Sequence, residues 1–241
     1  MNVNEIVRIV PTLKVNNRKL NERFYIETLG MKPLLEESAF LSLGDQTATE
    51  RLILEEAPSM RTRRVEGLKK LARLLIKVEN PSEIESLLSQ MKFLPRLFKG
   101  NRGYAFEIVS PEEDVILVHA ENDVRDLVPL ETVPEFYSNT SIKYLSQFEV
   151  SMELRLPEGT ESLLDPEGVA PVITFTKGQG PDLAVENNVT WDLTMLKFLV
   201  KNFDLTSLRQ KFEKTGYFVP KSEKFFLGKD TNNIELWFEE A

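Results

Sequence analysis

The sequence contains no cysteine, and that absence excludes a disulfide framework, a thiolate nucleophile and a cysteine-held zinc site. Histidine is almost as scarce. His119 is the whole imidazole supply, so a His-Glu-x-x-His metalloprotease motif cannot be written in this chain. No stretch approaches the roughly 20 apolar residues that span a bilayer, and Met1-Asn2-Val3-Asn4-Glu5 lacks the basic and apolar regions of a secretory signal. No membrane association is expected, and the expected location is the cytoplasm. A surplus of positive charge is missing too. At a formal charge of -8 the chain lacks the basic footprint that releases phosphate counterions, so nucleic acid is not an expected partner.

What is present is the balance of a folded protein: 41% hydrophobic and 28% charged residues over 241 positions, enough for two domains with cores of their own. From Glu5 to Val15 the chain alternates. Val7, Ile9, Leu13 and Val15 point one way and Arg8, Val10, Thr12 and Lys14 the other, which predicts a half-buried strand; Pro11 marks an edge or a bulge. Asn16 and Asn17 then offer helix caps, Leu20, Phe24, Tyr25 and Leu29 an apolar stripe, and Gly30 a positive-φ helix end. Three short strands follow, at 32–37, 39–43 and 51–55. The order β-α-β-β-β then starts again, with a strand over Leu71 to Val78 and a helix announced by Asn80-Pro81-Ser82-Glu83. Residues 1–122 therefore hold two copies of one unit.

Residues 123–145 have little periodicity and two prolines, as expected of a linker packed loosely on the surface. The second half, 146–241, opens on a strongly alternating strand from Phe148 to Leu156. It continues without a good helix, with strands expected at 172–176 and 183–186, so the third copy looks stripped. The fourth is fuller: a strand over 191–200, Asp204 as helix cap, Leu205, Leu208 and Phe212 as stripe, and Gly216 as stop.

The run Phe24-Tyr25-Ile26-Glu27-Thr28-Leu29-Gly30-Met31 resembles a helix end common in the vicinal oxygen chelate superfamily, which includes glyoxalase I, bleomycin-resistance proteins and extradiol dioxygenases. With the repeated units, it implies an α+β fold of tandem glyoxalase-like βαβββ units, the third lacking its helix. The resemblance also implies metal-ligand places on the opening and last strands of each unit. Counting along this sequence puts them at Val10, Arg73 and Leu117 in the first half and at Ser151, Met195 and Glu235 in the second. Only Glu235 is a ligand-type side chain, and one carboxylate does not hold a divalent cation. A slip of one residue would offer Glu149 or Asp192. No metal and no cofactor is expected.

From end to end, including the stretch Arg63-Arg64-Val65-Glu66-Gly67-Leu68-Lys69-Lys70-Leu71-Ala72-Arg73-Leu74-Leu75-Ile76-Lys77-Val78, the chain is similar to the streptococcal CppA family. That family carries the label of a C3-degrading proteinase. The resemblance thus implies a hydrolase acting on complement component C3, and a place at the cell surface or outside it.

The residues themselves supply little proteolytic chemistry. His119 is the only imidazole base, there is no Gly-x-Ser-x-Gly elbow, and Asp230-Thr231-Asn232 has no twin to complete an aspartic pair. A serine–lysine pair leaves no sequence trace. On the strand pattern, Val10, Thr12, Arg73, Leu117 and His119 would converge on one emptied cavity. There an unpaired Arg73 would receive a small organic anion, or an internal salt bridge would satisfy it. The basic run from Arg61 to Lys70, extended by Lys92, Arg96, Lys99 and Arg102, is either a solvated crossover or a patch for an acidic partner. Three functions stay open: the C3 proteinase, a binding protein for an organic anion or a protein partner, and a metal-dependent enzyme. Monomer and homodimer are both compatible with four units per chain.

Overall fold

A computed structural model of the chain describes residues 4–132, 134–137, 142–160, 163–164 and 166–241. The first unit is β1 (Glu5–Val15), α1 (Arg18–Arg23) running into a π turn (Phe24–Thr28), β2 (Lys32–Glu37), β3 (Phe40–Gly44) and β4 (Glu50–Glu56). The second is β5 (Leu71–Val78), α2 (Pro81–Gln90), β6 (Arg96–Lys99), β7 (Tyr104–Val109) and β8 (Val115–His119). After a 3-10 turn (Val124–Asp126) and β9 (Val128–Pro129) comes the reduced third unit: β10 (Phe148–Pro157), the one-turn α3 (Pro166–Val169) and β11 (Ile173–Gly178). The fourth is β12 (Leu193–Lys201), α4 (Leu205–Lys211), β13 (Tyr217–Phe218), β14 (Phe225–Lys229) and β15 (Glu235–Glu240).

The helix ends follow their side chains. Asn17 accepts from the Leu20 amide and Asn80 from that of Ser82, with Pro81 in the first turn, while Asp204 accepts from Thr206 and Ser207. Gly30 has φ +68°, where a Cβ would be strained. The first helix departs from its expected stripe. Leu20 is exposed, whereas Tyr25 and Leu29 are fully buried, because the π turn rotates the residues after Arg23 relative to a regular helix. Residues 183–186 form a turn in place of the expected strand.

The units do not pair in sequence order. The first and fourth share an eight-stranded sheet, β13-β14-β15-β12-β1-β4-β3-β2, joined where β1 runs antiparallel to β12. The second and third share a seven-stranded sheet, β11-β10-β5-β8-β7-β6-β9, joined between β5 and β10. Each sheet therefore takes strands from both sides of the linker. Strand β1 is central rather than at an edge, and Pro11 stands in register opposite Leu196; the extra residue on β1 is Val7, between Ile6 and Arg8, while the shift between Thr12 and Leu13 comes from the extra Thr194 of β12. The linker is not loose: β9 pairs with β6, and Leu145 is fully buried, donating its amide to Gly30.

One face of each sheet contributes to a single core. Ile9, Leu13, Leu52, Leu54, Leu196, Phe198 and Phe238 of the first sheet and Leu74, Ile76, Val118, Phe106, Val150 and Leu154 of the second belong to it. The alternate residues of the same strands face outward. Those outer faces carry Val10, Thr12, Met195 and Glu235 on the first sheet and Arg73, Leu117, His119, Glu149 and Ser151 on the second, whereas Asp192 is buried before β12, accepting from the Lys70 and Leu71 amides.

Candidate functional site

The outer face of the first sheet is assembled by register. Thr12 lies opposite Met195 on one side and Ile53 on the other, Val10 opposite Lys197, Lys14 beside Glu55, Met195 beside Glu235 and Lys197 beside Trp237. Leu35 of β2 and Trp237 of β15 line the same cavity of about 470 Å³, together with Phe40, Ile53, Met195 and Lys197. Those two strands stand five places apart in the sheet, roughly 24 Å if it were flat. The sheet must therefore curl round the cavity, and it encloses enough space for a small organic molecule.

Charge on this face is internal. Lys14, nearly buried, has its ammonium 3.2 Å from Glu55 and 3.0 Å from the Asn187 carbonyl. Lys197 bridges Glu50 at 3.1 Å and Glu239 at 3.0 Å; burial alone would lower its pKa, and these carboxylates raise it instead. Glu235 is held above the ordinary carboxylate range, first by burial and then by the neighbouring Glu55. Thr12 is almost wholly buried, and its hydroxyl has no hydrogen-bond partner.

The donors here do not suit a divalent cation. Val10 and Met195 stand on the opening strands, and the last-strand carboxylate Glu55 is already closed by an ammonium that would repel a metal. Among the described residues no three His, Cys, Asp or Glu side chains are grouped as a metal site.

Arg73, Leu117 and His119 lie on the outer face of the other sheet, so the expected convergence with Val10 and Thr12 does not occur. The reason is the crossed pairing of units. Arg73 is not an unpaired cation. Its guanidinium meets Glu153 at 2.6 Å and Glu107 at 3.8 Å, the internal salt bridge that the sequence left as the alternative to an anion. Leu117 packs with Leu75, Phe98 and Ala105, and Val124 and Leu127 from the linker close over them. His119 is 4% exposed, and its Nδ1 has no partner, so it is a buried group rather than one at a solvated strand end. Burial, helped by Lys77 and Arg73, pushes its pKa down to about 4 against a contrary pull from the Glu121 backbone. Beside it, a second cavity of about 410 Å³ lies between β10 and the start of β1, lined by Arg8, Lys77, Glu149 and Ser151.

Ser110, Asp114 and Lys69 come together, but as a turn clamp. The Ser110 hydroxyl donates to Asp114 and accepts from the Glu112 and Asp114 amides, all in buried positions, and Lys69 pairs with the same Asp114. The basic run is spent in the same manner: Arg63 pairs with Asp182, Arg64 with Glu113, and Lys70 donates to the Val185 carbonyl.

Sequence reasoning missed Lys14, Glu55, Lys197 and Trp237 as parts of one face. The alternation of β1 did place Lys14 beside Thr12 and Val10, but nothing local says that β12 and β15 complete the cup.

Comparison with known proteins agrees with this architecture. No curated protein matches the chain. Among the described residues no helix is long and apolar enough to cross a membrane. The crystal structure of the cppA protein from Streptococcus pneumoniae TIGR4 is 66% identical over 100% of both chains, with a TM-score of 0.95. Glyoxalase I from Zea mays, 9% identical, aligns over 97% of this chain and 92% of its own with a TM-score of 0.53, which shows the glyoxalase-like fold. A candidate dioxygenase from Bacillus subtilis, 11% identical, aligns over 99% and 86% with a TM-score of 0.58. The CppA N-terminal family model matches residues 8–130 and the CppA C-terminal model residues 145–238. The chain thus belongs to the CppA family, built on a glyoxalase-like fold.

Proposed function

We propose that this chain is a binding protein that uses the curled outer face of its first sheet as a small-molecule site and performs no chemistry there. One observation carries the reading. The cup of about 470 Å³ is open, with Leu35 61% and Phe40 43% exposed at its wall, while the ligand positions on this face hold the alkyl group of Val10, the thioether of Met195 and the lone carboxyl of Glu235. Apolar side chains left in water around a cavity are a cost to the free protein that an occupant relieves.

A thermal-shift and native mass-spectrometric screen tests the reading, with Met195→Trp filling the cup. Ligands are expected to stabilise the native protein and to lose that effect in the filled variant. A screen without hits, or hits indifferent to Met195→Trp, counts against it.

The family resemblance brings a second reading, a proteinase acting on complement C3. Such chemistry needs a base within reach of a nucleophile. Among the described residues no hydroxyl is seen hydrogen-bonding to His119, whose lowered pKa makes it a weak base. Incubation of the pure protein with C3 separates the two readings: the binding reading expects intact C3, and cleavage abolished by a single substitution in this chain would establish the proteinase.

A further inference from the structure

We infer that the occupant of this cup is an organic cation with a flat apolar body. The inference rests on the binding reading above and adds the chemical class. Five carboxylates, Glu37, Glu50, Glu55, Glu235 and Glu239, belong to the outer face of the first sheet. The ammonium groups that oppose them are all engaged: Lys14 is held by Glu55, Lys197 by Glu50 and Glu239, and Lys229 by Glu186 outside the cup. Arg8, the remaining cation of β1 on this side, lines the second cavity instead. The charged side chains that line the cup itself are Glu37, Glu50 and Lys197, a net negative set, and an anion entering it would meet repulsion without a free partner.

The walls add the second element of recognition. Trp237 stacks on Phe225 with ring centroids 3.8 Å apart and planes 14° apart, and Phe218 continues the row. The indole N–H is already given to Glu239, so what Trp237 offers the cavity is its ring rather than a donor. An aromatic ring beside carboxylates attracts an organic cation through its quadrupole and their charge together. Registered between Ile53 and Met195, which line the cavity, Thr12 of β1 keeps a buried hydroxyl without a partner.

Three probes of one shape and different charge test the class by calorimetric titration: benzyltrimethylammonium, benzyl alcohol and phenylacetate. The cation is expected to bind at least about tenfold more tightly than the others. The paired substitution Glu37→Gln and Glu239→Gln should remove most of that advantage, with Arg73→Ala on the other face as an indifferent control. Circular dichroism and the melting temperature establish that the variants are folded. Equal or tighter binding of the alcohol or the acid overturns the cation assignment and leaves the binding reading standing. Failure of all three probes to bind also overturns the cation assignment, and the ligand screen then decides the binding reading independently.

Discussion

The two outer faces share one plan and have been finished differently. In the second sheet, Leu75, Phe98, Ala105 and Leu117 fill the face, the linker's Val124 and Leu127 cover them, and Arg73 closes its charge on Glu153 and Glu107. In the first sheet the charges are also paired, but the cavity runs along an apolar wall, Leu35 and Phe40, that faces solvent, whereas the cavity at the second sheet lies off to the side of Leu117, by His119. The same strand positions have thus been closed to different degrees. The second face is filled around Leu117 and keeps a cavity of about 410 Å³ beside His119, whereas the first keeps one of about 470 Å³ with an apolar wall.

The largest effect that would break this comparison is in packing. Leu117→Ala on the filled face should cost about 3 kcal/mol, because it leaves a cavity among buried neighbours, whereas Leu35→Ala on the open face should cost less than about 1 kcal/mol. Urea denaturation of both variants measures the contrast, and equal losses would mean that the faces are packed alike.

A pH titration of stability comes next. His119 is about 4 when folded and near 6.5 when unfolded, so its contribution is fully present above 6.5 and is lost as the pH falls toward 4, on the order of 3 kcal/mol in all. His119→Gln should flatten the curve in that window relative to the parent protein. A variant curve parallel to the parent's would show that the imidazole takes no part.

The ion pairs should differ as well. Lys14→Met removes a nearly buried ammonium from Glu55 and should cost about 2 kcal/mol, while Arg73→Met removes a guanidinium that is itself 29% exposed and should change stability by about 1 kcal/mol or less. Reversal of that order in chemical denaturation would count against an internal role for Lys14.

The smallest effect is on Glu235. Its raised pKa means that the folded state holds the proton more tightly, so this carboxyl costs stability as the pH rises through that range. Glu235→Gln should melt slightly higher than the parent at neutral pH and lose that gain in acid. A lower melting temperature at neutral pH would assign the carboxylate a stabilising partner.

Local structure was legible in the sequence and long-range pairing was not. Pro81, Asn17, Asp204 and Gly30 announce their helix ends because each acts through its own backbone geometry. Four similar units present four similar opening strands, and no residue in β1 says that β12, rather than β5, lies beside it. Placing Val10 with Arg73 followed from assuming neighbours in sequence. The same gap hid Lys14: its ammonium becomes informative only when Glu55 and the strands of the fourth unit surround it. His119 could be assigned to the correct strand face, but its burial depends on the long-range pairing of β8 with β5, which sets it beside Lys77.

The crossed pairing also bears on how the chain comes to be folded. A nascent chain that has released only its first half exposes the β1 and β5 edges that β12 and β10 will later cover. Unpaired edges of this kind recruit other strands, so the interval before the second half emerges is the chain's most aggregation-prone stage. A fragment cut within the linker inherits that state permanently, and the whole chain is the smallest unit in which both sheets are complete.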